Sequence, residues 1–387
     1  MTRGAMRILY VAIDQTVPGT TGGSIHVRAV ADGLAARGHD VHVLTRPAPG
    51  AFPQGAVHWH SMSPPFGLRQ LRMARARRVR ALAETLRPQV IVERYYNFGG
   101  ESIGAARAVS AALVLEVNAP IVDYPGSSKA LLDRVLLVEP LRRWREWQCR
   151  SASLIVTPSA SIVPASVPRE KILEIEWGAD TERFHPGATG PVPFARRVGD
   201  TVAVFAGAFR SWHGAIHLVE AVRRLRARGR RDIAAVLIGD GPELARVRES
   251  ASGLDGVTFT GALPHDRLPA SLAAADIGVA PFDVQAHAPL ALDFYWSPLK
   301  IFEYMASGLP TVTIPQPPLT EIVRDGQEGC YFDEGSAQSL ADALTRLAGD
   351  AGLRRRLGQS ARERVVARYS WARHCEQLER VLQRIRS

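Results

Sequence analysis

RILYVAIDQTVPGTTGGSIHVRAVADGLAARGHDVHVLT, residues 7–45, reads as strand, loop, helix and strand in that order. Arg7–Ile13 is a short run that is apolar on both faces, the pattern of a strand buried in a parallel sheet. Asp14–Gly23 is dense in turn formers. Ser24–Arg37 has helical spacing, with Val27, Val30, Leu34 and Ala35 on one face, and Gly38 supplies the stop. Val41–Thr45 is the return strand. Such a unit implies parallel pairing and a right-handed crossover.

The alternation continues outward from this unit. Val90–Glu93, Ala112–Val117 and Ser153–Thr157 read as further buried strands, with helices over Leu68–Leu86, Gly104–Ser110 and Ser128–Arg150. His185–Asp200 breaks the pattern with Pro186, Pro191, Pro193, Gly187, Gly190 and Gly199, and reads as a linker. Strands then recur at Val202–Phe205, Ala234–Ile238, Val257–Phe259, Ile277–Ala280 and Thr311–Ile314. Between and after them come helices at Ala215–Arg228, Pro242–Ser250, Leu268–Ala275, Leu299–Ser307, Ala337–Ala348, Leu353–Arg368 and Ser370–Ile385. The expected fold class is α/β, with two doubly wound Rossmann-like domains. Their bounds are 1–185 and 201–369, with 186–200 between them and 370–387 as a terminal helix. Two such domains facing each other across a cleft would make a site for a substrate pair.

Composition narrows the function. The 387 residues carry 46% hydrophobic and 22% charged side chains, an ordinary globular balance. Cys149, Cys330 and Cys375 are far apart, so neither a disulfide framework nor a metal spacing can be built from them, and reduced cytosolic thiols are expected. The N-terminal apolar run is too short for a signal peptide and leads into a turn, and no apolar stretch reaches the roughly 18–20 residues that span a bilayer. The expected location is the cytoplasm. The net charge of +10 favours polyanions. No nucleic-acid-binding motif accompanies it, so phosphorylated small molecules and anionic lipid are the better partners. Arg69, Arg72, Arg75, Arg77, Arg78 and Arg80 crowd one expected helix. Leu131, Leu132, Val135, Leu136 and Trp144 share another with Lys129, Arg134 and Arg142. These read either as a basic amphipathic surface for peripheral contact with the inner membrane face or as packed helices with solvated arginines.

Three stretches could carry chemistry. Thr20–Ser24 puts Gly22 and Gly23 at a helix start, where exposed N–H groups favour a phosphate; an ordinary tight turn is the alternative. Gly239-Asp-Gly-Pro242 turns sharply from a strand into a helix. The richest is Ser297-Pro-Leu-Lys-Ile-Phe-Glu-Tyr-Met-Ala-Ser-Gly-Leu-Pro310. Lys300 and Glu303 share one helix face, so the cation can meet a diphosphate while the carboxylate accepts from ribose hydroxyls. The competing reading is an intrahelical ion pair worth about 0.3 kcal/mol. His26 and Asn118, which follow the glycine loop and a strand end, are polar candidates for an acceptor hydroxyl.

This helix resembles the donor-site helix of retaining glycosyltransferases of family 4, which have the GT-B architecture. Trp177-Gly-Ala-Asp-Thr-Glu-Arg-Phe-His-Pro186, Phe205-Ala-Gly-Ala-Phe-Arg-Ser-Trp-His-Gly214 and Val257–Phe282 are similar to further phrases of that family, in the same order. Ser370–Ile385 resembles its helix that crosses back to the first domain. The resemblance implies a carboxylate on the donor ribose at Glu303 and a loop near donor phosphates and acceptor at Gly22 and Gly23. It implies a basic phosphate residue at Arg210 and backbone that reads the base at Gly261 and Leu263.

The chain departs from the family at three places. Tyr295 stands where the first glutamate is common, with Asp293 nearby but off register. Ser297-Pro298 replaces Phe-Gly, which removes an N–H. His213-Gly214 replaces Lys-Gly. Lys300 and Arg210 are therefore expected to carry the phosphate charge, aided by His213, Gly239 and Ser297, with Asn118 on the acceptor side. The resemblance implies a nucleoside-diphosphate sugar as co-substrate and a hydroxyl acceptor. No Asp-x-Asp pair occurs in the sequence, so no metal and no cofactor are expected. A nucleotide-sugar epimerase and a non-catalytic nucleotide-sugar binding protein are the rival functions.

Overall fold

The computed structural model describes residues 4–47, 51–124, 126–137, 139–292 and 294–386. The chain divides into two compact units. The first runs to Trp177 and adds Tyr295–Ser297 and the chain from Trp371 onward; the second holds Gly178–Phe294 and Pro298–Ser370.

The first unit begins with β1 (Arg7–Thr16), α1 (Gly22–Ala36), β2 (Asp40–Arg46) and β3 (His58–Ser61). A 3-10 stretch, Arg69–Arg75, then leads into α2 (Ala76–Leu86). β4 (Val90–Arg94), α3 (Ile103–Val109), β5 (Ala112–Glu116), α4 (Ser128–Leu136), α5 (Pro140–Ser151), β6 (Leu154–Thr157) and β7 (Ile172–Glu174) follow. The strands form one parallel sheet in the order β3-β2-β1-β4-β5-β6-β7. Leu9, Val11, Ile13 and Ile91 pack against Val79 and Ala83 of α2 and Ile103 and Ala106 of α3.

The second unit repeats the plan. β8 (Thr201–Ala206), α6 (Ala215–Ala227), β9 (Ile233–Ile238), α7 (Leu244–Ser250), β10 (Val257–Gly261), α8 (Leu268–Ala273) and β11 (Ile277–Ala280) come first. α9 (Leu299–Ala306), β12 (Thr311–Thr313), α10 (Leu319–Ile322), β13 (Gly329–Tyr331), α11 (Ala337–Gly349) and α12 (Ala351–Arg368) complete it. Its parallel sheet runs β10-β9-β8-β11-β12-β13. Strand order reverses between β1 and β4 in one sheet and between β8 and β11 in the other. Ligands bind beyond the carboxyl ends of the strands at such points.

α13 (Trp371–Ile385) belongs to the first unit. Cys375, Leu378 and Leu382 are buried, and a Cβ on Gly33 of α1 would stand 2.5 Å from the Cys375 sulfur. The helix packs on α1 through that groove.

Three sequence expectations change, and three short strands were not foreseen. The helix foreseen over Ser128–Arg150 is two helices, because Pro140 lacks an N–H and Leu137 and Glu139 take left-handed backbone. The helix foreseen from Leu68 is 3-10 up to Arg75. Residues 178–200, read as domain end and linker, belong to the second unit: Ala179 bridges Ser370, and Phe184 is fully buried. β3, β7 and β13, three or four residues each, are too short for a periodic signal.

Arg362 holds the 178–200 segment in place. It donates to the carbonyls of Phe184 (2.6 Å), Ala306 (2.8 Å) and Thr181 (2.8 Å). Arg362→Ala should destabilise the second unit by about 2–4 kcal/mol, since it removes hydrogen bonds from a charged donor. Urea unfolding measures this, and an unchanged midpoint would refute the assignment.

Candidate active site

α9 is buried around its whole circumference, so it is a core helix with two ionisable residues in it. Ile301, Phe302, Tyr304 and Met305 are fully buried. The Tyr304 ring fits against Gly278, where a Cβ would stand 2.5 Å from the ring, and its hydroxyl accepts from Ala206 N–H at 2.7 Å. These contacts fix the helix rotation, and the rotation aims Lys300 and Glu303.

Lys300 is 8% exposed and its Nζ has no hydrogen-bond partner among the described residues. The ammonium stands 4.2 Å from the Phe205 ring centre and 5.1 Å from that of Phe282. Gly207 ends β8 directly beside it: a Cβ there would lie 3.1 Å from Nζ. Burial pulls the lysine pKa down to about 7, against the opposing pull of Glu303. A charge so placed is costly until an anion reaches it.

The intrahelical ion pair is not formed. Glu303 is 4% exposed and its Oε1 is 2.7 Å from His265 Nε2. His265 packs on Phe184, with ring centres 5.3 Å apart. Sequence reasoning passed over His265; its signal, a histidine just after the strand-end Gly261-Ala-Leu-Pro, is weak.

The other foreseen donor residues of this unit surround the strand ends. His213 Nδ1 is 2.6 Å from Ala208 O, and burial together with the Lys300 charge holds its pKa well below the usual range, so it is neutral. Arg210 is exposed and lies over the Trp212 ring at 5.3 Å. Gly239 follows β9 and packs so close to the Gly207 carbonyl that a Cβ would collide with it; its N–H donates to Gly261 O at 2.9 Å. Gly261 has φ +74° and open space where a side chain would be, and Leu263 is half-buried.

In the first unit, Gly22 and Gly23 are the first residues of α1, capped by Thr21. The lack of a side chain at Gly23 admits Gln15 and the Arg94 guanidinium, so that glycine makes room for protein groups. Glu116 ends β5 and gathers its neighbours. Arg94 donates to it at 2.6 Å and Asn118 at 2.5 Å, and the Tyr10 hydroxyl also donates. Burial raises its pKa. Asn118 also accepts from Trp177 Nε1 at 3.2 Å, which leaves its amide held from both sides.

His26 is 1% exposed, stacks on Trp177 with ring centres 4.4 Å apart, and lies 3.3 Å from Glu116. Burial and then Arg94 keep it neutral. Here it is a packed residue that lines a small cavity with Asn118, Thr157 and His374.

Ser297 and Tyr295 also belong to the first unit. The Ser297 hydroxyl accepts from Trp177 N–H (2.8 Å) and donates to Glu176, so its polar capacity is already engaged. Tyr295 is buried and its phenol is pushed up, so it offers no negative charge at the place of the family's first glutamate. Asp293 lies outside the described residues. Lys129 and Arg72 leave the foreseen basic surface: Lys129 donates to Pro120 O at 2.6 Å, and Arg72 is buried against Glu101.

Comparison with known proteins gives one family match on each half of the chain, the first running six residues past Trp177. Residues 20–183 match the family described as Glycosyltransferase Family 4, and residues 200–350 the one described as Glycosyl transferases group 1. The chain is 29% identical over 200 residues to a GDP-mannose-dependent alpha-(1-6)-phosphatidylinositol monomannoside mannosyltransferase of Mycobacterium tuberculosis. That alignment covers 50% of this chain and 51% of the relative, so the chain spans about half the length of the curated protein it matches. Among solved structures it is similar to sucrose-phosphate synthase from Thermosynechococcus elongatus (TM-score 0.73, 19% identity, 98% of each chain). It is also similar to HepE from Anabaena in complex with UDP (TM-score 0.70, 19% identity, 98% of this chain and 100% of that one). With one matched family on each of two doubly wound units, the chain is a member of glycosyltransferase family 4 with the GT-B fold.

Proposed function

We propose that this chain transfers a hexose-type sugar, with retention, from a nucleoside-diphosphate sugar to a hydroxyl acceptor. The observation that carries the reading is the buried Lys300 ammonium, without a hydrogen-bond partner among the described residues, one helical turn from a carboxylate held by His265. A pyrophosphate oxygen satisfies Lys300, and Glu303 accepts from ribose hydroxyls through its second oxygen. Gly261 and Leu263 take the base edge, and Arg210 reaches the phosphate from the exposed side. HepE, of the same fold, is named with UDP, and the mannosyltransferase with GDP-mannose, which supports a nucleotide sugar and leaves the base to measurement.

The acceptor oxygen bonds to the anomeric carbon as the carbon–phosphate oxygen bond breaks, and the acceptor proton passes to the departing phosphate. Lys300 and Arg210 stabilise the developing charge, so neither a metal nor another cofactor is required. On the acceptor side, Asn118 and the Gly23 loop position the hydroxyl, and His26 supports them from beneath. A second reading rests on Tyr295, which lacks the charge of the family's first glutamate: a protein that binds the nucleotide sugar without transferring it.

Peripheral membrane contact belongs to the same proposal. No helix among the described residues is long and apolar enough to cross a membrane. Phe66 (92% exposed), Val135 (69%) and Leu137 (86%) are bare, with Leu131 and Leu136 also exposed. An anionic bilayer would take up these side chains and meet Arg134 of α4 and Arg142 of α5. Vesicles with anionic phospholipid should co-sediment the protein at low salt, and Leu131→Glu with Val135→Glu should abolish that. Equal pelleting of native and doubly substituted protein removes the membrane contact.

Lys300→Met should lower transfer by about 10²-fold or more, the scale for losing a charge-stabilising donor. It should also stabilise the fold near neutral pH. In the native protein Lys300 is charged in both states below pH 7, and burial then costs most. That cost fades as pH rises from about 7 toward 10.5, because the folded form loses its proton first. The melting advantage of the variant should therefore shrink with rising pH. Full transfer by Lys300→Met, measured as product sugar, would exclude the donor site.

An anion drives the Lys300 pKa back up, so UDP or GDP binding near pH 8 should take up close to one proton. Calorimetry in buffers of different ionisation heat reads this directly. Nucleotide binding without proton uptake contradicts the placement of the phosphate on Lys300. Binding with uptake but no transfer to any hydroxyl acceptor favours the second reading.

A further inference from the structure

A side-chain cluster remote from this chemistry has the donor set of a metal site. Asp40 and His42 alternate along β2, and His58 and His60 alternate along β3, so each pair shares a sheet face. The strands are parallel, with His42 opposite His58 and Leu44 opposite His60, which brings the four side chains together. Asp40 Oδ1 is 3.1 Å from His42 Nε2 and 3.6 Å from His58 Nε2. The ligating atoms of Asp40, His42 and His58 all lie within 4.8 Å of one another. Two ligands about 2.0–2.2 Å from one tetrahedral ion stand roughly 3.3–3.6 Å apart. The His42 and His58 rings stack with centres 4.6 Å apart, so rotation of these side chains brings the three ligands to coordination distance.

The groups around it fit a second shell. Arg7 Nε bonds Asp40 Oδ2 at 2.5 Å, so Oδ1 is the oxygen turned to the histidines. His60 Nε2 is 3.0 Å from His42 Nδ1. If that contact holds the His42 proton on Nδ1, the Nε2 lone pair faces Asp40 and His58, as a metal-binding imidazole requires. In the metal-free protein the other tautomers, with His42 Nε2–H donating to Asp40 and His60 Nε2–H donating to His42 Nδ1, close the cluster, and binding needs a proton shift on both imidazoles. The His58 side chain is 62% exposed, which leaves an entry path and a fourth position for water.

We propose that Asp40, His42 and His58 bind one divalent transition cation, Zn2+ first, as a clip that ties edge strand β3 to β2. The two imidazoles and one carboxylate suit Zn2+, Ni2+ or Cu2+ and disfavour Mg2+ and Ca2+. β3 is four residues long and pairs with β2 alone, so a cross-strand ion adds what so short an edge lacks. The site opens at the amino-terminal half of β2, whereas the proposed sugar chemistry lies at carboxyl strand ends, so the ion takes no part in transfer.

The test uses the full chain, free of any affinity tag and stripped with a chelator. Calorimetric titration with Zn2+ should give one ion per chain with micromolar affinity, a rise in melting temperature, and the visible absorption of tetrahedral Co2+ when Co2+ replaces it. His58→Ala, on the exposed rim, and His42→Asn, in the sheet, should each weaken binding at least about 30-fold. Donor binding by His58→Ala, read by UDP or GDP thermal shift, should stay at the native level. No Zn2+ binding by the native chain, or native affinity in either variant, overturns the site.

Discussion

A lysine ammonium enclosed by two phenyl rings and a glycine, with no hydrogen-bond acceptor among the described residues, organises the second unit. Burying a cation is unfavourable unless its partner arrives from outside. Everything around Lys300 keeps it in that state. Tyr304 and the apolar face of α9 lock the helix rotation, Gly207 leaves space for Nζ, and Glu303 is drawn to His265 and not to the lysine. Were Glu303 to pair with Lys300, the charge would be neutralised within the helix and would have little to offer a phosphate.

The first unit solves a different problem. It carries buried carboxylates that are already paired: Glu116 at the end of β5 with Arg94, Tyr10 and Asn118, and Glu101 in the turn before α3 with Arg72. Glu93 accepts from the N–H groups of Gly100 and Ser102, which ties the loop after β4 to the sheet. Breaking such a buried pair on one side leaves an uncompensated charge, so these groups hold geometry. Asn118 is the point where this rigid set meets Trp177, and that contact fixes the direction of its amide.

Much of the fold was legible because it rests on runs of apolar residues. β1, β4, β5, β8, β9 and β11 are buried on both faces, and their sequences show it. The edge strands β3, β7 and β13 were not, since three or four residues carry no period. The break between α4 and α5 had a local sign, Pro140, which the amphipathic pattern on either side masked. At the site, Lys300 and Glu303 stood out by spacing. His265 could not, because its partner lies 38 positions away in sequence. Ser297 stood out by position next to α9, yet its hydroxyl is taken up by Trp177 and Glu176.

The sequence by itself determined the two alternating strand–helix series, the glycines at strand ends and the family phrases, since each is a local pattern of side-chain size and polarity. The tertiary structure alone decided which charges are paired. The choice between a helix-internal Lys–Glu pair and a free ammonium beside a His–Glu pair depends on desolvation and on residues far apart in the chain. The gathering of Asp40, His42 and His58 depends likewise on the register of two parallel strands. Electrostatic energy follows distance and burial in space, and neither quantity is written along the chain.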